Sequence, residues 1–194
     1  MKKDRRKQSR GPGSVRIIGG NWRGSKLPIA DLPGLRPSGD RGRETLFNWL
    51  QPYLRGAVCV DLFAGSGALG MEAASRGAAR VVLVEKNAQA VKVLQENVAR
   101  LKGEQVEVIL DDAIRWLQQQ APQSADIVFI DPPFGLQLES RAFELLQLGD
   151  VVKPGGLVYV ETAKSGAGQI AASGWEMVRE KVLGEVRMQL LKKV

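Results

Sequence analysis

Histidine is absent from this sequence and cysteine occurs only once, at Cys59. These absences exclude imidazole general bases, histidine-dependent triads, intrachain disulfides and metal sites built from several cysteines. The lone cysteine lies in an apolar stretch, so we expect a buried hydrophobic side chain rather than a reactive thiol. No hydrophobic run approaches the roughly 20 residues of a membrane span, and no secretory signal is recognisable. We therefore expect a cytoplasmic protein without a metal ion or a membrane partner.

Acidic residues are scarce at the N-terminal end. Residues 1–30 hold nine Lys and Arg and one Asp, which leaves 19 basic and 20 acidic residues for the rest of the chain. The formal net charge of +7 therefore belongs to the N-terminal end. Residues 1–14 have too few apolar side chains to fold alone. We expect them to form a flexible basic tail that either contacts a polyanion or only aids solubility.

The pattern of apolar residues changes along the chain. Residues 15–29 are typical of a short hairpin that turns at Gly19, Gly20 and Asn21, and the spacing within 41–54 predicts a helix. We predict strands at 58–62, 81–85, 106–110, 127–130 and 157–161, and helices at 67–76, 87–102, 112–120 and 137–149. Residues 174–193 predict a final hairpin around Gly184. This order indicates an α/β fold with a mostly parallel sheet covered on both faces.

A glycine-rich loop follows the first strand of this alternating part. Gly65, Gly67 and Gly70 fit the G-x-G-x-x-G pattern of dinucleotide-binding proteins, and Glu85 follows 20 residues after the first glycine. Asp61 argues against a dinucleotide, because an anion at this strand end repels a pyrophosphate and attracts a cation. S-adenosylmethionine, which carries a sulfonium and an amino group, suits this loop better. An NAD-dependent oxidoreductase remains a remote alternative.

Two further strands end in acidic residues. The third strand is followed by Asp111 and Asp112, of which one could cap the next helix and the other could contact an adenine; we assign the adenine side to Asp112. The fourth ends in VFIDPPFG (128–135), where prolines interrupt the strand. Asp131 could accept hydrogens from a substrate amino group and Phe134 could stack on a base. A rigid turn without chemistry is the simpler interpretation of this motif.

DLFAGSGALG, the acid at Glu85, DDA and DPPF together resemble the class I S-adenosylmethionine-dependent methyltransferases that methylate amino groups. The upstream VRIIGGNWRGSKL and GLRPSGDRGRETLFNWL are very similar to the bacterial enzymes that methylate N2 of guanine 966 in 16S ribosomal RNA. The resemblance runs from about residue 15 to the C-terminal hairpin. DNA adenine methyltransferases share the DPPF motif, so the N-terminal segment makes the resemblance specific. The chain departs from the family pattern at Ser38, Gly39, Gly42 and Gly135.

The resemblance implies a Rossmann-like fold with a seven-stranded, mostly parallel sheet, an antiparallel last strand and a short N-terminal hairpin. It also implies a division into the tail (1–14), a segment that covers RNA and cofactor (15–54) and a methyltransferase domain (55–194). The expected S-adenosylmethionine contacts are Asp61, Phe63, Ala64, Gly65, Ser66, Gly67, Glu85, Lys86, Asp112 and Ala113. The expected catalytic residues are Asp131, Pro132, Pro133 and Phe134. The expected RNA contacts are Arg16, Arg23, Lys26, Arg36, Arg41 and Arg43.

The favoured function is therefore methyl transfer to a guanine N2 of 16S ribosomal RNA, either free or in the small subunit, by a protein that is expected to be a monomer. A DNA adenine-N6 methyltransferase would use the same chemistry but usually needs a larger target-recognition region. A non-catalytic RNA-binding module on a methyltransferase scaffold is an alternative of a different class. The acids at Asp61 and Glu85 and the DPPF motif argue against it, since such a module need not retain them.

Overall fold

The computed structural model describes residues 13–32, 39–133, 138–165 and 173–194. The strands are β1 (Ser14–Arg16), β2 (Lys26–Pro28), β3 (Val58–Asp61), β4 (Arg80–Glu85), β5 (Val106–Leu110), β6 (Ala125–Ile130), β7 (Val152–Ala163), β8 (Trp175–Leu183) and β9 (Val186–Lys193). The helices are α1 (Asp40–Leu54), α2 (Ala68–Ser75), α3 (Ala88–Leu101), α4 (Ala113–Leu117) and α5 (Leu138–Leu148). Every helix and strand predicted from residue 41 onward is therefore present, and α4 is shorter than predicted.

Seven strands form one sheet in the order β5-β4-β3-β6-β7-β9-β8. The first five are parallel neighbours, whereas β9 runs antiparallel to both β7 and β8. Among the five parallel strands β3 lies at the centre, with β4 and β5 on one side and β6 and β7 on the other, so the sheet has a switch point between β3 and β6. This topology confirms the predicted Rossmann-like α/β fold with a reversed last strand.

The central strands are apolar on both faces, which explains their continuous hydrophobic runs. On one face, Cys59, Leu83 and Phe129 belong to a core shared with α1 and α2. On the other face, the alternate residues Val60 and Val128 belong to a second core shared with α4 and α5. Cys59 is fully buried in β3, as expected, and burial raises the pKa of its thiol to about 12. The two cores fix the positions of the carboxyl ends of the strands relative to one another.

The predicted N-terminal hairpin is present, but its connection is longer than expected. Its strands are three residues each, and Ser14 pairs with Pro28, so residues 17–25 connect them as a long loop. The predicted turn residues Gly19 and Gly20 lie against α2. Gly20 has a φ of 76° and a side chain there would lie 1.9 Å from the carbonyl oxygen of Ser75. The predicted hairpin is confirmed, and a local turn begins at Gly20, whose carbonyl accepts from the N–H of Arg23 at 3.2 Å. The sequence did not predict the contacts with α2, which fix the path of the loop.

The other N-terminal expectations are met in part by the described residues. The tail predicted over 1–14 lies outside the described residues up to residue 12, and Ser14 already belongs to β1. Helix α1 begins at Asp40 and buries Leu46, Phe47 and Leu50. Within the described part of the chain, no helix has both the length and the apolar composition needed to cross a bilayer.

Candidate active site

A cavity of about 730 Å³ opens at the carboxyl ends of the parallel strands. Six acidic side chains line it from five strand ends: Asp61 at the end of β3, Glu85 at the end of β4, Asp111 and Asp112 after β5, Asp131 after β6 and Glu161 near the end of β7. In open α/β sheets this edge is where ligands bind. The volume lies within the range of about 300–1,000 Å³ that is usual for small-molecule sites. The cavity is therefore the candidate active site.

The glycine loop between β3 and α2 forms one wall of this cavity. Phe63, Ala64, Gly65 and Ser66 all line it. Gly65 has a φ of 52°, a left-handed conformation that favours glycine, and no atom outside the loop would obstruct a side chain there. The backbone therefore presents a wall without a side chain, to which a ligand can come close.

Gly67 was expected to contact the cofactor, but it does not line the cavity. Its φ is 77°, and its N–H donates to the Ala64 carbonyl to close the turn. A side chain at Gly67 would come within 2.6 Å of Leu94. The residue is therefore required for the turn and for the packing of α3 against the loop.

Asp61 is buried at the base of the cavity. Its Oδ2 accepts a hydrogen bond of 3.0 Å from the backbone N–H of Gly70 in α2. The pKa of Asp61 is raised to about 7, chiefly by burial and to a lesser extent by the carboxylates of Asp131 and Glu85, against the opposing hydrogen bond from Gly70. A positively charged ligand would favour the ionised form, because opposite charges attract strongly in a desolvated site. This environment fits the cationic ligand expected from the sequence.

Glu85 is held in place by the loop on either side of it. Its Oε2 accepts from the N–H of Gly65 at 2.9 Å and its Oε1 accepts from the N–H of Asn87 at 2.8 Å. Each carboxylate oxygen has a second lone pair, so both can still accept a hydrogen bond from a ligand hydroxyl. Lys86 and Asn87 continue the cavity wall beside it. The geometry thus supports the predicted role of Glu85 as an acceptor for ribose hydroxyls.

The two acids after β5 divide their roles differently from the prediction. Asp112, which was assigned to the adenine, caps α4: its Oδ1 accepts from the N–H groups of Ile114 and Arg115. The Asp111 carboxylate pairs with the Arg115 guanidinium. Asp111, Asp112 and the buried Ala113 all line the cavity. A ligand in this part of the cavity would contact the N-terminus of α4. Because Oδ1 of Asp112 caps the helix, Oδ2 of Asp112 is the oxygen that could accept a hydrogen bond from the ligand.

The DPP segment leaves β6 at the mouth of the cavity. Asp131, Pro132 and Pro133 line the cavity together, with Pro132 buried and Pro133 exposed. Phe134, the predicted stacking residue, lies outside the described residues. The structure therefore brings three of the four predicted catalytic residues to one place.

Glu161 was missed by the sequence analysis. Ile130 of β6 pairs with Val160 of β7, so the next residues on these parallel strands, Asp131 and Glu161, are neighbours and their carboxyl groups are hydrogen-bonded. Burial, followed by the charge of Asp131, raises the pKa of Glu161 to about 8. An acid that follows the apolar run LVYV was the available signal, as at Glu85.

Most of the predicted RNA contacts that the structure describes are exposed. Arg16, Arg23 and Lys26 are exposed on the N-terminal hairpin and its loop, and Arg41 is an exposed residue that lines the cavity from α1. Arg36 lies outside the described residues. Among residues 13–32, 39–133, 138–165 and 173–194, no group of three acidic or cysteine side chains is placed to hold a metal ion.

Arg43 contradicts the prediction, because only 1% of its side chain is exposed. Its Nη2 donates to the Arg16 carbonyl at 2.9 Å and to Asp40 at 2.6 Å, and its Nη1 lies 3.7 Å from Glu72. An arginine that is fully enclosed cannot reach RNA. Position 43 lies on the same face of α1 as Leu46, which is three residues further on and fully buried.

The sheet order and the acidic cavity at the strand ends define a class I methyltransferase. The family model described as Conserved hypothetical protein 95 matches residues 15–192. Ribosomal RNA small subunit methyltransferase D of Haemophilus influenzae is 45% identical over 181 residues, 92% of this chain and 93% of that protein. The protein of the same name in Escherichia coli is 44% identical over 180 residues, which cover 93% of this chain and 90% of that protein. The chain belongs to this family, which confirms the resemblance seen in the sequence.

Solved structures agree with these sequence relatives. A putative methyltransferase from Escherichia coli, yhhF, superposes with a TM-score of 0.86 at 41% identity and covers 93% of this chain and 98% of its own. A putative methylase from Haemophilus influenzae superposes with a TM-score of 0.82 at 40% identity, and the match covers 94% of this chain and 99% of the methylase. The fold extends over nearly the whole length of both structures.

Proposed function

We propose that this protein transfers a methyl group from S-adenosylmethionine to N2 of guanine 966 in 16S ribosomal RNA. It is an S-adenosylmethionine-dependent ribosomal RNA methyltransferase, and its relatives are named as ribosomal RNA small subunit methyltransferases. The observation that carries the proposal is the cavity in which Asp61, Glu85 and Asp131 converge from three strand ends. The substrate is ribosomal RNA or the small subunit, and the reaction takes place in the cytoplasm, where bacterial ribosomal RNA is found.

The residues of the cavity fit the cofactor. Asp61 provides a buried anion for its cationic methionine part, and Glu85 provides two fixed acceptors for the ribose hydroxyls. Phe63 and Ala113 supply apolar surface for the adenine, next to Asp112. When bound, S-adenosylmethionine supplies a methyl group that its sulfonium already activates for transfer.

The contribution of the protein to the reaction is to orient the guanine amino group. This group is a weak nucleophile because its lone pair is conjugated with the ring. The Asp131 carboxylate and the Pro132 carbonyl accept its two hydrogens and direct its nitrogen into the cavity, while Phe134 stacks on the base. Positioning of this kind supplies about 7–11 kcal/mol in favourable cases. It requires that the guanine is unpaired or flipped out of a helix, at a cost of a few kcal/mol.

The N-terminal segment 15–54 supplies the RNA contacts of this proposal. Arg16, Arg23 and Lys26 present exposed positive charge that can bind phosphates, whatever the sequence of the RNA. Arg41 lies at the cavity itself and is placed to contact RNA or to cover the cofactor. Phosphate contacts of this kind suit any nucleic acid, so the choice of RNA over DNA rests on the relatives, which are named ribosomal RNA methyltransferases.

The test is methyl transfer from labelled S-adenosylmethionine to small subunits or 16S RNA that lack the modification, followed by mass spectrometry of the nucleosides. We expect N2-methylguanine as the product. Asp131→Ala should lower kcat by at least about 100-fold and change cofactor affinity little, because it disturbs only the orientation of the amino group. Glu104→Ala, at an exposed position before β5, is the control and should retain activity. Methylation of adenine in DNA, or no cofactor binding, would contradict the proposal.

A further inference from the structure

The carboxyl groups of Asp131 and Glu161 are hydrogen-bonded side by side at the edge of the cavity. Two ionised carboxylates have only acceptors, so a hydrogen bond between them requires one proton. Of the two, Glu161 lies within β7 between the buried residues Val160 and Thr162, whereas Asp131 lies beyond the end of β6. Glu161 retains the proton, because burial disfavours its charged form and the charge of Asp131 acts in the same direction.

Glu161 is also hydrogen-bonded to a buried tyrosine on its own strand. The hydroxyl of Tyr159, which is fully buried, donates a hydrogen bond to Oε1 of Glu161. Tyr159 and Glu161 are two residues apart on β7, so their side chains project from the same face of the sheet. The ring of Tyr159 packs edge-on against Phe129 of β6, with 6.4 Å between the ring centroids. A chain of hydrogen bonds therefore leads from the core, through Glu161, to Asp131.

We propose that Glu161 is a positioning residue, which as a neutral carboxyl group anchored by Tyr159 donates a hydrogen bond to Asp131 and fixes the orientation of its carboxylate. Asp131 then keeps its charge and presents its remaining lone pairs to the substrate amino group. This inference rests on the proposed function of Asp131, and it assigns a role to a residue on the neighbouring strand.

The electrostatic surroundings of Glu161 agree with this role. Its pKa is raised to about 8 by burial first and by the charge of Asp131 second, so the neutral form predominates at pH 7. Tyr159 favours the ionised form through its hydrogen bond, but burial outweighs it. The neighbour on β9, Met188, is uncharged, and the charged group that lines the cavity from α1 is Arg41.

Two substitutions of Glu161 separate the hydrogen bond from simple packing. Glu161→Gln keeps the shape and offers an amide N–H to Asp131 and an amide oxygen to Tyr159, as the neutral acid does. Glu161→Ala removes both hydrogen bonds. We expect Glu161→Ala to lower kcat by about 10-fold or more, with the cofactor affinity within about 3-fold of the wild type, and Glu161→Gln to restore most of the loss. Glu176→Ala, on the exposed part of β8, is the control.

The pH dependence gives a second readout. As the pH rises through about 8, Glu161 ionises, stops donating to Asp131 and repels it. The kcat of the wild-type enzyme should therefore fall on the alkaline side, and in Glu161→Gln this fall should disappear. Tyr159→Phe should lower kcat through the loss of the anchoring hydroxyl. A variant that was merely less stable would not shift a pH profile in this way.

A third readout does not depend on activity. Infrared spectra of the protein without ligands, recorded for the wild type and for Glu161→Gln, should differ by a protonated carboxyl band that disappears near pH 8. A band that disappears near pH 4–5 would overturn the inference, as would full activity of Glu161→Ala or equal losses in both Glu161 variants. If the wild type transfers no methyl group while the band is present, the proposed function is wrong, but the protonated Glu161 beside Asp131 is confirmed.

Discussion

Glu72 of α2 offers a sharp test of how the N-terminal loop is attached to the methyltransferase fold. This carboxylate is fully buried and accepts hydrogen bonds from the backbone N–H groups of Ile18 and Gly19 at 2.7 and 2.8 Å. It also accepts from Nε of Arg76 at 2.7 Å and lies 3.7 Å from the buried guanidinium of Arg43. We predict that Glu72→Ala destabilises the protein strongly, because four groups lose an acceptor or a counter-charge at once.

The magnitude follows from the burial of these groups. Removing one partner of a buried ion pair costs about 3–5 kcal/mol, because the other charge is left without compensation. Each buried N–H that loses its acceptor costs about 1–3 kcal/mol, and water entering the vacated space offsets part of that cost. We therefore expect a loss of about 4 kcal/mol in the free energy of unfolding. For a chain of this length such a loss lowers Tm by about 8–16 °C.

The matched control is Glu107→Ala. Glu107 forms an ion pair with Arg80 at 2.7 Å, the same distance as between Glu72 and Arg76, but 51% of the Glu107 side chain is exposed. An exposed pair contributes about 0–1 kcal/mol. Urea denaturation followed by circular dichroism measures both variants, and hydrogen exchange at Ile18 and Gly19 reports the loop directly. Equal losses in the two variants, or unchanged exchange in the loop, would refute the reasoning.

Two other predictions concern charge. Asp61 has a pKa of about 7 in the fold, above its ordinary value of 3.8, so the folded state binds an extra proton between these pH values and stability falls as the pH rises from about 4 to about 7. Asp61→Asn should therefore be more stable than the wild type at pH 8 and equal to it below pH 4, as measured by urea midpoints. Arg23→Ala should weaken RNA binding and reduce its salt dependence by about one counterion without changing stability.

The opposite outcomes are easily recognised. If the stabilities of Asp61→Asn and the wild type differed by the same amount at pH 4 and pH 8, the carboxyl group would not titrate in the folded state as its burial implies. For RNA binding, Arg43→Ala is the comparison for Arg23→Ala, since its buried side chain should affect stability first. An unchanged salt dependence in Arg23→Ala would mean that the loop does not contact phosphate.

The alternation of apolar strands and amphipathic helices after residue 57 was sufficient to predict the sheet. Strands buried on both faces give continuous hydrophobic runs, and these runs have the same meaning wherever they occur in a chain. The N-terminal loop could not be predicted in this way. Gly20 does begin a local turn, since its carbonyl accepts from the N–H of Arg23, but the partners of Gly19 are Glu72 and Ser75, more than 50 residues away.

The candidate site was likewise predictable from the sequence only in part. The sequence by itself determined that Asp61, Glu85 and Asp131 would meet at one edge of the sheet, because each follows an apolar strand of a parallel α/β pattern. It also carried the family resemblance through its motifs. Only the tertiary structure revealed that Arg43 is enclosed beside Glu72, since a charged side chain on a helix is usually solvated. Only the pairing of β6 with β7 brought Glu161 against Asp131, because strand neighbours that are distant in the chain are decided by packing.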